Sequence, residues 1–107
     1  MLNEVFTTTV EDAFNRSKRL LIKKEKEYSN GMDRLSQFYR VGSAQDQEPT
    51  EALTGMMMKH VISILDMAKD PLVFPSKVWQ EKITDLRNYT FLLDALVLEL
   101  HEEDKIE

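Results

Sequence analysis

The sequence has 107 residues, 42% of them hydrophobic, a net charge of -5 and no cysteine. This length predicts a single helical domain over residues 1–107, with its core at about 9–101 and an acidic tail at 102–107. The lack of cysteine excludes disulfides, thiolate nucleophiles and cysteine zinc sites. No apolar run approaches the roughly 18 residues of a membrane span, and the first residues lack a signal-peptide pattern. We therefore expect a cytoplasmic protein outside membranes, and the negative charge argues against general nucleic-acid binding.

Positive charge is concentrated early in the chain, although the net charge is negative. One short stretch carries six basic residues: Arg16, Lys18, Arg19, Lys23, Lys24 and Lys26. Such a run is usually a solvated helix face, and the alternative is a patch that faces phosphate groups.

Helical spacing defines the first two elements. Val10, Phe14, Leu21 and Tyr28 recur at helical intervals and predict helix 1 over about 9–28, with a capping box that begins at Thr9. The helix should end at the Ser-Asn-Gly sequence of residues 29–31, because Asn and Gly tolerate the left-handed conformation. Residues 32–41 predict a short second helix, and the polar residues 42–48 predict a loop.

Prolines delimit the last two elements. Pro49 suits the first turn of a helix and predicts helix 3 over residues 49–69. Pro71 and Pro75 interrupt the helical pattern. Helix 4 is then predicted from Ser76 to about His101. With no sustained strand alternation, we predict an all-α fold, a small antiparallel helical bundle of three long helices plus one short helix.

The apolar stripe of helix 4 is unusually wide. It comprises Trp79, Ile83, Leu86, Thr90, Leu93, Val97 and Leu100, and it is broadened by Tyr89, Leu92, Ala95 and Leu96. One neighbouring helix would not cover so broad a surface. We therefore predict a central helix or a dimer interface, and a homodimer or higher homo-oligomer.

Polar residues interrupt the apolar helix faces in two places. His60 lies on the predicted buried side of helix 3, where a lone histidine is more often a packed core residue than a functional one. On helix 4, Glu81, Asp85 and Asn88 share one strip at spacings of four and three, and Lys82 points in an otherwise apolar direction. Lys82 can equally extend its amine from the first turn to water.

A cluster becomes possible if helices 1 and 4 cross closely. Lys24, Glu25 and Tyr28 at the end of helix 1 would then meet Glu81 and Asp85. Burying such a cluster is costly without a ligand, a metal ion or mutual pairing. Two carboxylates four residues apart suit Mg²⁺, which completes its coordination with water and substrate phosphates.

Several segments together resemble a known family. They are the runs Lys23 to Tyr28, Asp33 to Phe38, Met58 to His60 with Ser63 and Ile64, and Glu81 to Tyr89. Over about residues 10–100 the chain resembles small phage proteins of the nucleotide-modification-associated type. Its last segment is also similar to a reduced form of the acidic motif of all-α MazG and dUTPase-like pyrophosphohydrolases.

The resemblance implies a nucleotide ligand, with Mg²⁺ held at Glu81 and Asp85. Those hydrolases usually show a doubled Glu where this chain has Glu81 and Lys82, and a Glu-rich earlier helix where it has Glu25 and Glu27 among lysines. The resemblance therefore bears on the fold and the nucleotide ligand more than on the reaction.

Three functions remain open on these residues. The first is a Mg²⁺-dependent nucleoside triphosphate pyrophosphohydrolase, with Glu81, Asp85 and Glu25 or Glu27 as catalytic and metal-binding groups. The second is a non-catalytic protein that binds or sequesters a nucleotide. Its ligand-binding side chains would be Lys24, Tyr28, His60, Lys82 and Asn88. The third is a helical protein-interaction module in which Met56, Met57 and Met58 adapt to a partner surface.

Overall fold

A computed structural model describes the backbone of residues 1–28 and 33–102, and their side chains except those of residues 24–28. Four helices form the described chain: α1 (Asn3–Tyr28), α2 (Ser36–Ala44), α3 (Pro49–Met67) and α4 (Ser76–Leu100). The predicted fold class is confirmed, because three helices are long, one is short, and the described ranges contain no strand. None of the described helices combines the length and hydropathy needed to cross a bilayer.

The chain divides into two compact units, residues 1–34 and residues 35–107. In the first unit α1 begins at Asn3, well before the predicted start at Thr9. The hydroxyl groups of Thr8 and Thr9 donate to the carbonyl oxygens of Glu4 and Val5, one turn earlier, at 3.1 and 2.8 Å. The predicted capping box at Thr9 is therefore wrong, because threonine also satisfies its hydroxyl inside a helix by bonding back to the preceding turn.

The second unit opens with α2, which continues through Gly42 to Ala44 where a loop was predicted. Gly42 is buried, and a Cβ atom there would lie 2.8 Å from the carbonyl oxygen of Gln47. The chain can fold back this closely only over a residue without a side chain. Asp46 turns the chain with a φ of 55°, in the left-handed region that aspartate tolerates better than most residues.

Helix α3 begins at Pro49 as predicted and ends at Met67, two residues before the predicted end. Glu48 and Glu51 form a reciprocal capping box, in which the backbone N–H of Glu48 donates to Glu51 Oε1 at 3.1 Å. The proline and the box together satisfy the first turn of the helix, where backbone N–H groups have no partner within the helix.

The core of the second unit lies where α3 packs against both α2 and α4. Its buried side chains are Leu35, Phe38, Leu53 and Leu96, and Met56, Tyr89, Leu92 and Leu93 pack against them. Each fully buried leucine or phenylalanine contributes about 1.5–3 kcal/mol from apolar burial. This small cluster fixes the rotation of α4 and therefore decides which of its side chains face inward.

Two polar contacts tie α4 to its surroundings within this unit. The indole Nε1 of Trp79 donates to the carbonyl oxygen of Pro71 at 3.0 Å, which fastens the loop between α3 and α4. The hydroxyl of Tyr39 donates to Glu99 Oε2 at 2.9 Å and joins α2 to the last turns of α4. Because the loop is short and the two helices pack together, α3 and α4 run antiparallel.

A polar strip on α4

The candidate site is a strip of polar residues along α4, formed by Glu81, Asp85 and Asn88. Burial increases along the strip, since Glu81 is exposed, Asp85 is half-buried and Asn88 is buried with 5% of its surface accessible. Spacings of four and three residues place the three side chains one above another on one helix face. The strip therefore runs from carboxylate charge at the surface to a neutral amide in the interior.

The inward face of α4 differs from the predicted stripe. Ile83, Val97 and Leu100 of that stripe are exposed, whereas Thr84, Asn88 and Leu96 are buried. Both directions are lined largely by apolar residues, and the packing of Leu96 into the core selects one of them. The helix is therefore rotated so that Asn88, predicted at the border of the apolar face, lies in the interior.

The side-chain amide of Asn88 lacks hydrogen-bond partners. Within the part of the chain that the structure describes, neither its Oδ1 nor its Nδ2 forms a hydrogen bond, although both atoms are buried. A buried polar group without a partner costs about 1–3 kcal/mol, and native proteins contain only a few. Among the described residues, the Asn88 amide is therefore an unsatisfied polar group in the interior of the second unit.

His60 on α3 packs against α4 rather than facing solvent. Its ring centroid lies 5.0 Å from that of Tyr89, and the two rings are tilted by 37°. This separation is typical of paired aromatic rings. Tyr89 immediately follows Asn88 in the sequence, so the ring pair lies beside the strip on the α3 side of the helix. The contact supports the interpretation of His60 as a packed residue, and the imidazole remains half-buried.

Glu81 and Asp85 are the two carboxylates that the sequence assigns to Mg²⁺, and this assignment stays a prediction. Among the described residues, no group of three or more His, Asp or Glu side chains could hold a metal ion. Glu81 and Asp85 alone fit the hard-oxygen chemistry of Mg²⁺, which often takes only one or two protein carboxylates. Lys82 is half-buried beside them and adds a positive charge near the same end of α4.

The predicted contribution of helix 1 lies mostly outside the described side chains. Lys24, Glu25, Glu27 and Tyr28 belong to the segment whose side chains are not described, so their proposed roles stay predictions. Of the earlier basic residues, Arg16 is half-buried, while the others are exposed: Lys18, Arg19 and Lys23. This exposure agrees with a solvated face and equally leaves these groups accessible to phosphate.

Two residues near the polar strip of α4 have positions that the sequence did not predict. Thr84 is buried one turn before Asn88, which extends the polar part of the inward face. Tyr89 was assigned to apolar surface and proves to be the ring partner of His60. The spacing of four between Thr84 and Asn88 was the available signal, because such pairs share one face of a helix.

Comparison with known proteins adds no relative to these observations. No family model, no curated protein and no solved structure matches the chain. The resemblance to nucleotide-modification-associated and MazG-like proteins therefore stays a prediction based on the quoted residues.

Proposed function

We propose that this chain is a cytoplasmic nucleotide-handling domain of phage or bacterial type that binds its ligand along the Glu81, Asp85 and Asn88 strip of α4. The observation that supports the proposal most strongly is the buried Asn88 amide, whose Oδ1 and Nδ2 have no partner among the described residues. The cysteine-free composition fits a reducing compartment.

In this proposal, different parts of the strip contact different parts of a nucleotide. A carboxamide donates and accepts side by side, as does the edge of a nucleobase, and asparagine pairs with adenine in this way in protein–DNA complexes. Stacking of a base on an aromatic ring contributes about 1–3 kcal/mol, and the paired His60 and Tyr89 rings are the aromatic groups that we propose for this contact. The carboxylates and Lys82 lie toward the exposed end of the strip, where a charged phosphate chain would remain hydrated.

Hydrolysis is the catalytic form of this proposal. Glu81 and Asp85 would hold Mg²⁺, which when bound polarises phosphate oxygens and activates water. The prediction from the sequence adds Glu25 or Glu27 as a further acidic group, Lys82 and Lys24 as bases that offset phosphate charge, and Tyr28 as a ligand contact. The non-catalytic form uses the same residues to sequester the nucleotide without cleaving it.

Thermal unfolding in the presence of nucleotides tests binding. The chain is screened against nucleoside mono-, di- and triphosphates with and without Mg²⁺, because a ligand that binds only the folded state raises the melting temperature. We expect stabilisation by at least one nucleotide, its loss in Asn88→Leu, and a weaker Mg²⁺-dependent part in Asp85→Asn. Asp94→Asn, an exposed acid farther along α4, is the matched control and should behave as wild type.

Product formation separates the two forms of the proposal. Nucleotides that stabilise the protein are incubated with it and Mg²⁺ or Mn²⁺, and pyrophosphate and monophosphate are measured. Turnover lost in both Glu81→Gln and Asp85→Asn supports the hydrolase, whereas stabilisation without product supports the sequestering protein. If no nucleotide in the panel stabilises the protein, both the catalytic and the non-catalytic form of the proposal are overturned.

A second candidate function, the helical interaction module, is favoured by the exposed methionine of α3. Of the three consecutive methionines, Met56 packs against the core and Met57 is half-buried, whereas 49% of Met58 is accessible. Met58 is a flexible apolar side chain that adapts to a partner surface. It also belongs to a longer exposed stripe.

A further inference from the structure

The outer face of α3 carries an apolar stripe that stays largely exposed among the described residues of the second unit. Met58, Ile62 and Leu65 are 49%, 52% and 61% accessible. Glu51 and Gly55 continue the stripe toward the start of the helix, and Lys69 continues it in the turn after Met67. At about 100° per residue, the six positions fall within about 80° of the helix circumference.

This stripe points away from the core. His60, whose ring contacts Tyr89 on α4, lies about 180° around the helix from the centre of the stripe at about 100° per residue. The buried residues of α3 lie on the His60 side as well: Ala52, Leu53 and Met67. The stripe is therefore a second apolar face of α3, separate from the one that builds the core.

The order of residues along the stripe is symmetrical about position 60. The spacings are four, three, four, three and four, so that reversal of the helix exchanges Glu51 with Lys69, Gly55 with Leu65, and Met58 with Ile62. Alternating spacings of four and three are those of helices that pair along their length. In an antiparallel pair around a two-fold axis, each exchanged position would face its counterpart on the other chain.

The facing positions complement one another in charge and in size. The acid Glu51 would meet the base Lys69 at both ends of the pair, and Met58 would meet Ile62 at the centre. Lys69 forms an exposed ion pair with Asp66 at 3.7 Å, and such pairs contribute little and exchange readily. Glu51 accepts a hydrogen bond through Oε1 in the capping box, and its side chain is exposed.

Gly55 supplies an independent indication. Glycine in the middle of a helix lowers its stability relative to alanine, and a close approach within the chain usually explains its presence. At Gly55, no described atom beyond its chain neighbours and the nearby backbone of its own helix lies within 4 Å of the place that a Cβ atom would occupy. The missing side chain therefore leaves a shallow gap on the surface, opposite the large side chain of Leu65 in the antiparallel arrangement.

We propose that the chain forms a two-fold homodimer through this stripe, with α3 of one copy antiparallel to α3 of the other and centred near position 60. The paired helices would contact over about 27 Å at 1.5 Å per residue. We expect this contact to be smaller than the roughly 800 Å² per partner of standard interfaces, and the association to be reversible at micromolar concentration.

Sedimentation velocity over a concentration series of the full chain tests the register. Lys69→Glu places two like charges opposite each other at both ends and should weaken dimerisation by at least about tenfold. The double variant Glu51→Lys with Lys69→Glu exchanges the charges and should restore most of the association. Lys59→Glu makes the same charge change on the same helix outside the stripe, and it should leave the dimer intact.

Circular dichroism accompanies the series, because Glu51→Lys also removes half of the capping box. A wild-type chain that stays monomeric at all concentrations would overturn the proposal. So would a dimer that is equally stable in Lys69→Glu and in Ile62→Lys, since that dimer would use another surface. A double variant that folds but stays monomeric would contradict the antiparallel register.

Chemical crosslinking tests the direction of the helices, because the chain contains no cysteine of its own. In the antiparallel dimer the two copies of an Ile62→Cys variant are offset by only about 6 Å along the helices, whereas those of Lys69→Cys are offset by about 27 Å. A short bis-maleimide should therefore link Ile62→Cys efficiently and Lys69→Cys poorly. Equal linking of both variants would indicate parallel helices and overturn the proposed arrangement.

Discussion

Helices α3 and α4 depart from a simple amphipathic pattern in opposite ways. Helix α4 buries the polar side chains of Thr84 and Asn88, whereas α3 exposes the apolar side chains of Met58, Ile62 and Leu65. A buried amide that has no partner is stabilised when it gains hydrogen bonds. An exposed apolar face is stabilised when another apolar surface removes it from water. In our proposals, α4 therefore binds a small polar ligand and α3 binds a protein surface.

The largest expected effect separates the two faces of α3. Leu53→Ala removes a fully buried core side chain and should lower the free energy of unfolding by about 2–5 kcal/mol. Leu65→Ala makes the same chemical change on the outer face and should change it by less than about 0.5 kcal/mol in dilute protein. Urea denaturation of both variants at low concentration measures the difference, and equal losses would mean that the outer face is buried within one chain.

An intermediate effect of the opposite sign is expected at the polar strip. Asn88→Leu replaces an amide that has no partner among the described residues by an apolar group of similar size, so the free energy of unfolding of the unliganded protein should rise by about 1–3 kcal/mol. Thr90→Val, an exposed change on the same helix, should stay within about 0.5 kcal/mol of wild type. A loss of stability in Asn88→Leu would indicate that the amide is satisfied within the chain, which contradicts the proposed binding role.

The smallest effect concerns Gly55. Gly55→Ala should stabilise the monomer by about 0.5–1 kcal/mol, because alanine favours the helix and its Cβ meets open space. The same substitution narrows the gap that would receive Leu65 of a second copy. The free energy of unfolding, measured by denaturation at low and high protein concentration, should therefore increase less in Gly55→Ala as the dimer forms. A gain that is independent of concentration would argue against Gly55 as an interface residue.

Sequence patterns predicted the fold where local chemistry determines it. Pro49 and the break between Pro71 and Pro75 determine the limits of α3 and the start of α4, since proline restricts the backbone by itself. The start of α1 and the end of α2 were missed for two reasons. Threonine also occurs inside a helix when its hydroxyl bonds back to the preceding turn. Glycine is accepted inside a helix where the chain packs too closely for a side chain.

The site was predicted in part for a similar reason. The spacing of Glu81, Asp85 and Asn88 was sufficient to place them on one strip, because helical periodicity is a local property. The rotation of α4, which buries Asn88 and exposes Ile83, depends on how Leu96 packs against α2 and α3. Sequence periodicity does not select between two apolar directions of one helix, so tertiary packing decided it.

The Asn88 amide itself gives the most direct test of nucleotide binding on α4. In two-dimensional NMR spectra of the isotope-labelled protein, the side-chain amide signals of Asn88 are followed during titration with nucleotide and Mg²⁺. We expect those signals to shift in a saturable way, while those of the exposed residues Asn3 and Asn15 stay in place. Asn88 signals that do not move with any nucleotide would contradict the account.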